Sequence, residues 1–207
     1  MAAAFRDQRD QSVFINCPFD AAYEPVFDAI VFTVATCGLR VRSALEIADS
    51  GEVRLIKILR LLSGSRFSIH DISRVELDGD SGFPRFNMPI ELGAALGMKH
   101  LGRAKLREHN LLILDSERYR YQKFASDLAG VDISAHKGTP EGAIACVRNF
   151  LATHYSVLPS PSVIKEAYLL FEAALPGMAA AAKQIPSELT FIDRLQHIQM
   201  FVDRADQ

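Results

Sequence analysis

HNLLILD (109–115) is the clearest strand in the chain: a short apolar run with no helical period, closed by an aspartate. An unbroken apolar run suits a strand that is covered on both faces. Working outward, four further segments read the same way: SVFINC (12–17), stopped by Pro18; the alternating LRVRSAL (39–45); RFSIHD (66–71); and the short, polar-flanked VDISAH (131–136). Helical spacing fills the gaps. Residues 23–36 repeat apolar side chains at Val26, Phe27, Ile30 and Val34, and Gly38 follows as a stop. Residues 53–62 are amphipathic, with Arg54, Lys57 and Arg60 on the wet side. A third helix opens near Asn87, a plausible cap, carries Pro89 in its first turn and runs to about Met98. Residues 119–130 look helical up to Gly130, and 139–155 form a helix opened by Thr139 and Pro140.

Strand and helix thus alternate five times, which predicts a doubly wound α/β fold with a mainly parallel five-stranded sheet. The Pro/Ser-rich SVLPSPS (156–162) has no period, and only helical sequence follows it. The expected organisation is an α/β domain over 1–155, with a linker and C-terminal helical extension over 156–207 that caps the domain or mediates assembly. No internal repeat is present.

Composition narrows the function classes. The 207 residues are enough to bury a core without covalent staples. With 49% hydrophobic and 23% charged residues and a net charge of -2, no broad basic surface for nucleic acid is implied, which leaves room for a local basic patch only. The three cysteines, Cys17, Cys37 and Cys146, form no CxxC and suit neither a zinc site nor a disulfide framework. MAAAFRDQRDQS lacks the apolar core of a signal peptide, and no apolar run reaches the ~18 residues of a membrane span. A cytoplasmic protein without a membrane partner is expected.

In an open parallel sheet, ligands bind beyond the carboxyl ends of the strands. Strand one ends in Asn16, Phe19, Asp20 and Tyr23; strand two in Arg42, Ser43 and Glu46; strand three in His70, Asp71, Ser73 and Arg74; Arg85, Asn87 and Glu91 come next. Polar residues of the first half converge on one edge, whereas the later half is plainer. Each has a bland alternative. Glu91 suits a helix N-terminus, where the dipole favours a carboxylate. Gly93, Ala95 and Gly97 beside it serve close approach or plain packing. Asp71 could cap a loop, His70 could be structural, and Asn16 and Asp20 could form turns around Pro18. There is no GxGxxG, GxxxxGK[ST] or GxSxG, and no metal-ligand spacing. Asp20, Asp71 and Lys137 match a phosphoryl-receiver pattern only superficially, because Asp20 lies four residues past its strand.

FNMPIELGAALGMK (86–99) resembles the catalytic segment of nucleoside 2-deoxyribosyltransferases, with Glu91, Gly93, Ala95 and the 97–99 end on the matching positions. VFINCPFD (13–20) and the order of elements also resemble a bacterial Toll/interleukin-1 receptor (TIR) domain, and RFSIHDISRVELD with RFNMPIELG is similar to bacterial TIR-like proteins suspected in anti-phage defence. The likeness spans residues 12–155. Met88-Pro89-Ile90 replaces the usual Gly-Thr before the glutamate, and the chain has no Trp. The resemblance implies a flavodoxin-like three-layer fold and cleavage of an N-glycosidic bond in NAD or a related nucleotide, which is a substrate rather than a cofactor. Glu91 would be the catalytic carboxylate and Asp71 its partner, protonating the base or binding ribose. Arg42, Arg74 or Arg85 would hold phosphate; Phe19 and Tyr23 would stack on a base; and Asn16, Asp20, Ser43, His70 and Asn87 would complete the site. A homo-oligomer or a partner effector is expected. A nucleotide-binding or TIR-type interaction module without turnover, and a true deoxyribosyltransferase, are the alternatives.

Overall fold

A computed structural model describes residues 8–75, 77, 82, 83 and 86–205; Arg85 lies outside the described residues. The five strands are β1 (Ser12–Asn16), β2 (Arg40–Ser43), β3 (Phe67–Asp71), β4 (Asn110–Asp115) and β5 (Ile133–Ala135). All pair in parallel, in the order β2-β1-β3-β4-β5. The helices are α1 (Glu24–Thr36), α2 (Arg54–Ser63), α3 (Asn87–Leu101), α4 (Ala104–Arg107), α5 (Pro140–Ala152), α6 (Pro161–Ala181) and α7 (Phe191–Ala205).

Alternation along each strand sends side chains to opposite faces. Val13, Ile15, Phe67, Ile69, Leu112 and Leu114 pack under α1 and α5. Phe14 packs with Ile58, Leu61 and Leu62 of α2 and Ala95 of α3 on the other face. Both faces of the central strands are therefore covered, and β1 and β3 are buried at every residue. This is the expected α/β three-layer arrangement with helices added at the C-terminus.

The added helices share the same core. Residues 26–35 of α1 are buried without a break, a pattern that requires apolar cover all round. The sheet covers one side; Ile164, Tyr168, Phe171 and Leu175 of α6 and Ile198 of α7 cover the other. Phe32 sits between them, its ring 5.6 Å from Tyr168, 5.5 Å from Phe171 and 6.2 Å from Phe201. α6 continues through Pro176, because Phe171, Leu175 and Ala179 are buried on both sides of it and this packing outweighs the lost backbone bond.

Four local expectations change. Lys57, expected on the wet side of α2, is buried, and its Nζ donates to the Ile47 carbonyl (2.8 Å). Residues 119–130 form two short 3-10 turns, Arg120–Lys123 and Ser126–Leu128. Tyr119 adopts a left-handed φ of 63° there, and Arg120 is drawn onto Asp115 (2.7 Å) and the Ser73 carbonyl (2.6 Å). Strand two ends at Ser43, where a capping box with Glu46 starts a 3-10 turn. Asn87 does not cap α3: it is the first helical residue, and Phe86 holds the cap position without a side-chain bond.

A buried polar chain crosses the α2/α3 face. Asn16 Nδ2 meets His70 Nδ1 (3.0 Å), His70 Nε2 meets Ser68 Oγ (2.8 Å), Ser68 Oγ meets His109 Nε2 (2.7 Å), and His109 Nδ1 meets the Ser65 carbonyl (2.9 Å). The carbonyl only accepts, so His109 carries its proton on Nδ1. Ser68 then donates to His109 and accepts from His70, and His70 accepts from Asn16. Every site is used once with both imidazoles neutral. Burial pushes His70 down to about 3 and His109 down to about 4. Ser68→Ala would leave an imidazole donor and an imidazole acceptor without partners. A loss of about 2–4 kcal/mol in urea unfolding is expected; a loss below about 1 kcal/mol would show that the chain is not what holds these groups.

Candidate functional site

The sheet order makes β1 and β3 the switch point: the chain leaves β1 towards α1 on one face and reaches α3 from β3 on the other. In a doubly wound sheet the loops diverge at such a point, and the carboxyl edge there is where a ligand crevice is expected. Glu91 on α3 and Asp71 ending β3 both lie near enough to Cys17, just after β1, to act on its thiol. Cys17 is fully buried, and its thiol is pushed well above the ordinary range by burial and then by the nearby carboxylates of Asp71, Asp28, Glu91 and Asp20.

Glu91 is only 5% exposed and has no hydrogen-bond or ion-pair partner among the described residues. α3 starts at Asn87, so Glu91 is its fifth residue, past the first turn in which the helix dipole acts. A capping charge therefore does not account for it. Burial pushes its carboxyl up to about 7, opposed by Arg54. Arg54, at the start of α2, holds its guanidinium 5.9 Å from the centre of the Phe19 ring and has no hydrogen-bonded partner among the described residues. Its position follows from the same carboxyl-edge rule, but helical periodicity alone marks it as solvent-facing.

Asp71 is fully engaged. Its Oδ2 accepts from Tyr23 Oη (2.7 Å), its Oδ1 accepts from the Ser73 amide (2.8 Å), and His136 Nε2 lies 2.9 Å from Oδ2. His136 Nδ1 accepts from the Gly138 amide (3.0 Å), which leaves the proton on Nε2, facing Asp71. That N–H is poorly aligned for a directed bond, so the contact is mainly electrostatic. Burial and Asp71 together push the Tyr23 phenol well above its ordinary range. Asp71 and Glu91 form no bond with each other; Asp71 instead ties the loops after β1 and β5 together. His136, one residue past β5, was legible by the same rule, but the plain composition of the second half hid it.

Most other candidates are also engaged. Arg42 grips Glu46 with Nε at 2.8 and 3.0 Å from its two oxygens. Ser43 is buried and its Oγ accepts from Leu45. Arg74 reaches Asp20 (3.1 Å), whose Oδ1 also accepts from the Tyr23 amide, and so straps the two diverging loops. Asn16 and His70 belong to the buried chain. Asn87 is exposed in the first turn of α3. Among the small residues after Glu91, Ala95 alone is tightly packed; a Cβ at Gly93 or Gly97 would meet nothing within 4 Å. Lys99 donates to the His109 carbonyl (2.6 Å), a structural task. No group of acids, His and Cys among the described residues could hold a metal ion, and no described helix is long and apolar enough to cross a membrane.

The raised Glu91 carboxyl has a measurable consequence. Its ordinary value is 4.5 and its folded value about 7, so the folded protein holds this proton more tightly than the unfolded chain. That stabilisation is complete below pH 4.5 and is lost as pH rises through 7. Glu91→Gln removes the penalty, so the variant should exceed wild type by about 1–3 kcal/mol at pH 8 and match it near pH 4. Urea unfolding at the two pH values tests this; a difference that does not change with pH would mean an ordinary carboxyl.

Comparison with protein-family models, curated proteins and solved structures gives no match to this chain.

Proposed function

We propose that the crevice cleaves the N-glycosidic bond of a nucleotide whose leaving base is positively charged, NAD being the simplest case, with Glu91 as the catalytic carboxylate. The single observation that carries this is a buried carboxylate with no partner at the switch point of a doubly wound sheet. Such a group gains most when positive charge develops beside it. In the reaction, the bond between ribose C1′ and the pyridinium nitrogen breaks and its electron pair goes to the ring. Nicotinamide leaves neutral, and the ribosyl cation is held by Glu91 as an ion pair or an ester. Water then adds at C1′, releasing ADP-ribose and a proton. The likeness of the 86–99 segment to deoxyribosyltransferases, and of residues 13–20 and the order of elements to TIR domains, agrees with this role.

The state of Asp71 bears on substrate choice. A neutral nucleoside needs an acid to protonate its departing base, and Asp71 is already committed to Tyr23, Ser73 and His136. A pyridinium needs no acid, so one carboxylate suffices. Arg54, over Phe19, is the cation best placed for the pyrophosphate, since Arg42 and Arg74 hold Glu46 and Asp20. The same lack of a second free carboxylate also favours the rival: a module that binds a nucleotide without turning it over. Nicotinamide release by wild type and Glu91→Gln separates the two. Exposed Val53, Ile56, Phe86 and Ile90 lie at or just before α2 and α3, so the rate per protomer should be followed over a protein-concentration series to detect a need for self-association.

A further inference from the structure

Phe19 has a second neighbourhood. While Arg54 stands over its face, its edge meets Phe27, with ring centres 5.6 Å apart and planes at 85°. Phe27 in turn lies 5.8 Å from Phe191 at the start of α7. These three rings line a cavity of about 330 Å³ that also presents Glu24, Asp28 and Arg194. Its volume and its mix of aromatic wall and few polar groups are those of a small-molecule site. Glu91 does not line this cavity.

The polar groups indicate the ligand. Asp28 pairs with Arg194 at 2.7 Å, and Arg194 also holds Glu172 at 2.6 Å. Arg194 Nε is buried without an acceptor. Glu24 is exposed and in no ion pair among the described residues, so it offers a carboxylate free to accept from an amino group. Three rings and one free acceptor match a flat heterocycle that carries an exocyclic amine.

We propose that this cavity binds an aminated heteroaromatic ring of the adenine class, packed among Phe19, Phe27 and Phe191 with its amino group on Glu24. The ring is either the distal half of the nucleotide cleaved at Glu91, passing under Arg54, or a separate nucleoside effector. Binding in the cavity does not depend on chemistry at Glu91.

Adenosine titrated calorimetrically into the full chain tests this. Wild type binds. Ala21→Trp, an exposed position on the cavity lining, fills the mouth and weakens binding by roughly ten-fold or more, and Glu24→Gln weakens it by roughly three- to ten-fold. Glu91→Gln binds like wild type. No binding by wild type, or unchanged binding in both cavity variants, overturns the site; Glu24→Gln keeps the test open if Ala21→Trp fails to fold. Competition between NAD and adenosine identifies the ring as part of the substrate, and simultaneous binding identifies an effector. Failure of the glycosidase assignment looks different: adenosine binds but no nicotinamide is released.

Discussion

Glu91→Gln is expected to lower nicotinamide release by roughly 10³-fold while nucleotide affinity stays within a few-fold. Glutamine keeps the shape and the dipole but cannot balance a ribosyl cation, so the loss falls on kcat rather than on binding. Wild-type activity should rise with pH along a single ionisation. That ionisation begins from the free value of about 7, and a bound pyridinium lowers it further, because an opposite charge favours the ionised carboxylate. Chromatographic nicotinamide release, paired with calorimetric binding of ADP-ribose, measures both quantities. Equal release by wild type and variant would remove Glu91 from the chemistry. Binding by both with release by neither would leave a nucleotide-binding module.

Phe171→Ala should cost about 3–5 kcal/mol, a large part of the about 5–15 kcal/mol that holds a domain together. Phe171 is fully buried against Phe32, lies 5.6 Å from Phe201, and carries Arg194 over its ring at 5.8 Å. Truncation to alanine opens a cavity between α1, α6 and α7 that rigid helices cannot close. An extension joined only by a linker would instead lose its own order and leave the sheet domain intact. One cooperative transition with a lowered urea midpoint is the expected result. Two transitions, the second unchanged from wild type, would show the C-terminal helices to be a separate unit.

The layered sheet was legible because β1, β3 and β4 are short apolar runs between clear stops, and parallel pairing follows from their alternation with helices. Glu91 was legible as an anomaly, a carboxylate inside an apolar, small-residue helix. What the sequence hid was commitment. Nothing along the chain says that Arg42 is spent on Glu46, or that Asp71 is shared by Tyr23 and His136, because those bonds are made in three dimensions by residues up to 65 apart. Arg194 was out of reach for the same reason: it approaches Asp28 only once α7 folds back on α1. The 119–130 segment misled because its apolar residues have helical spacing while its backbone follows Arg120 to Asp115.

The encasement of α1 also sets an order of events during synthesis. Its inner face can find β1 and β2 almost as soon as they emerge. Its outer face must wait for α6 and α7, roughly 130 to 170 residues later. At translation speeds of about 5–20 residues per second, that outer face stays bare for about 7–34 s. A nascent chain carrying Phe32 and Val31 uncovered for so long cannot close its core until α7 has left the ribosome.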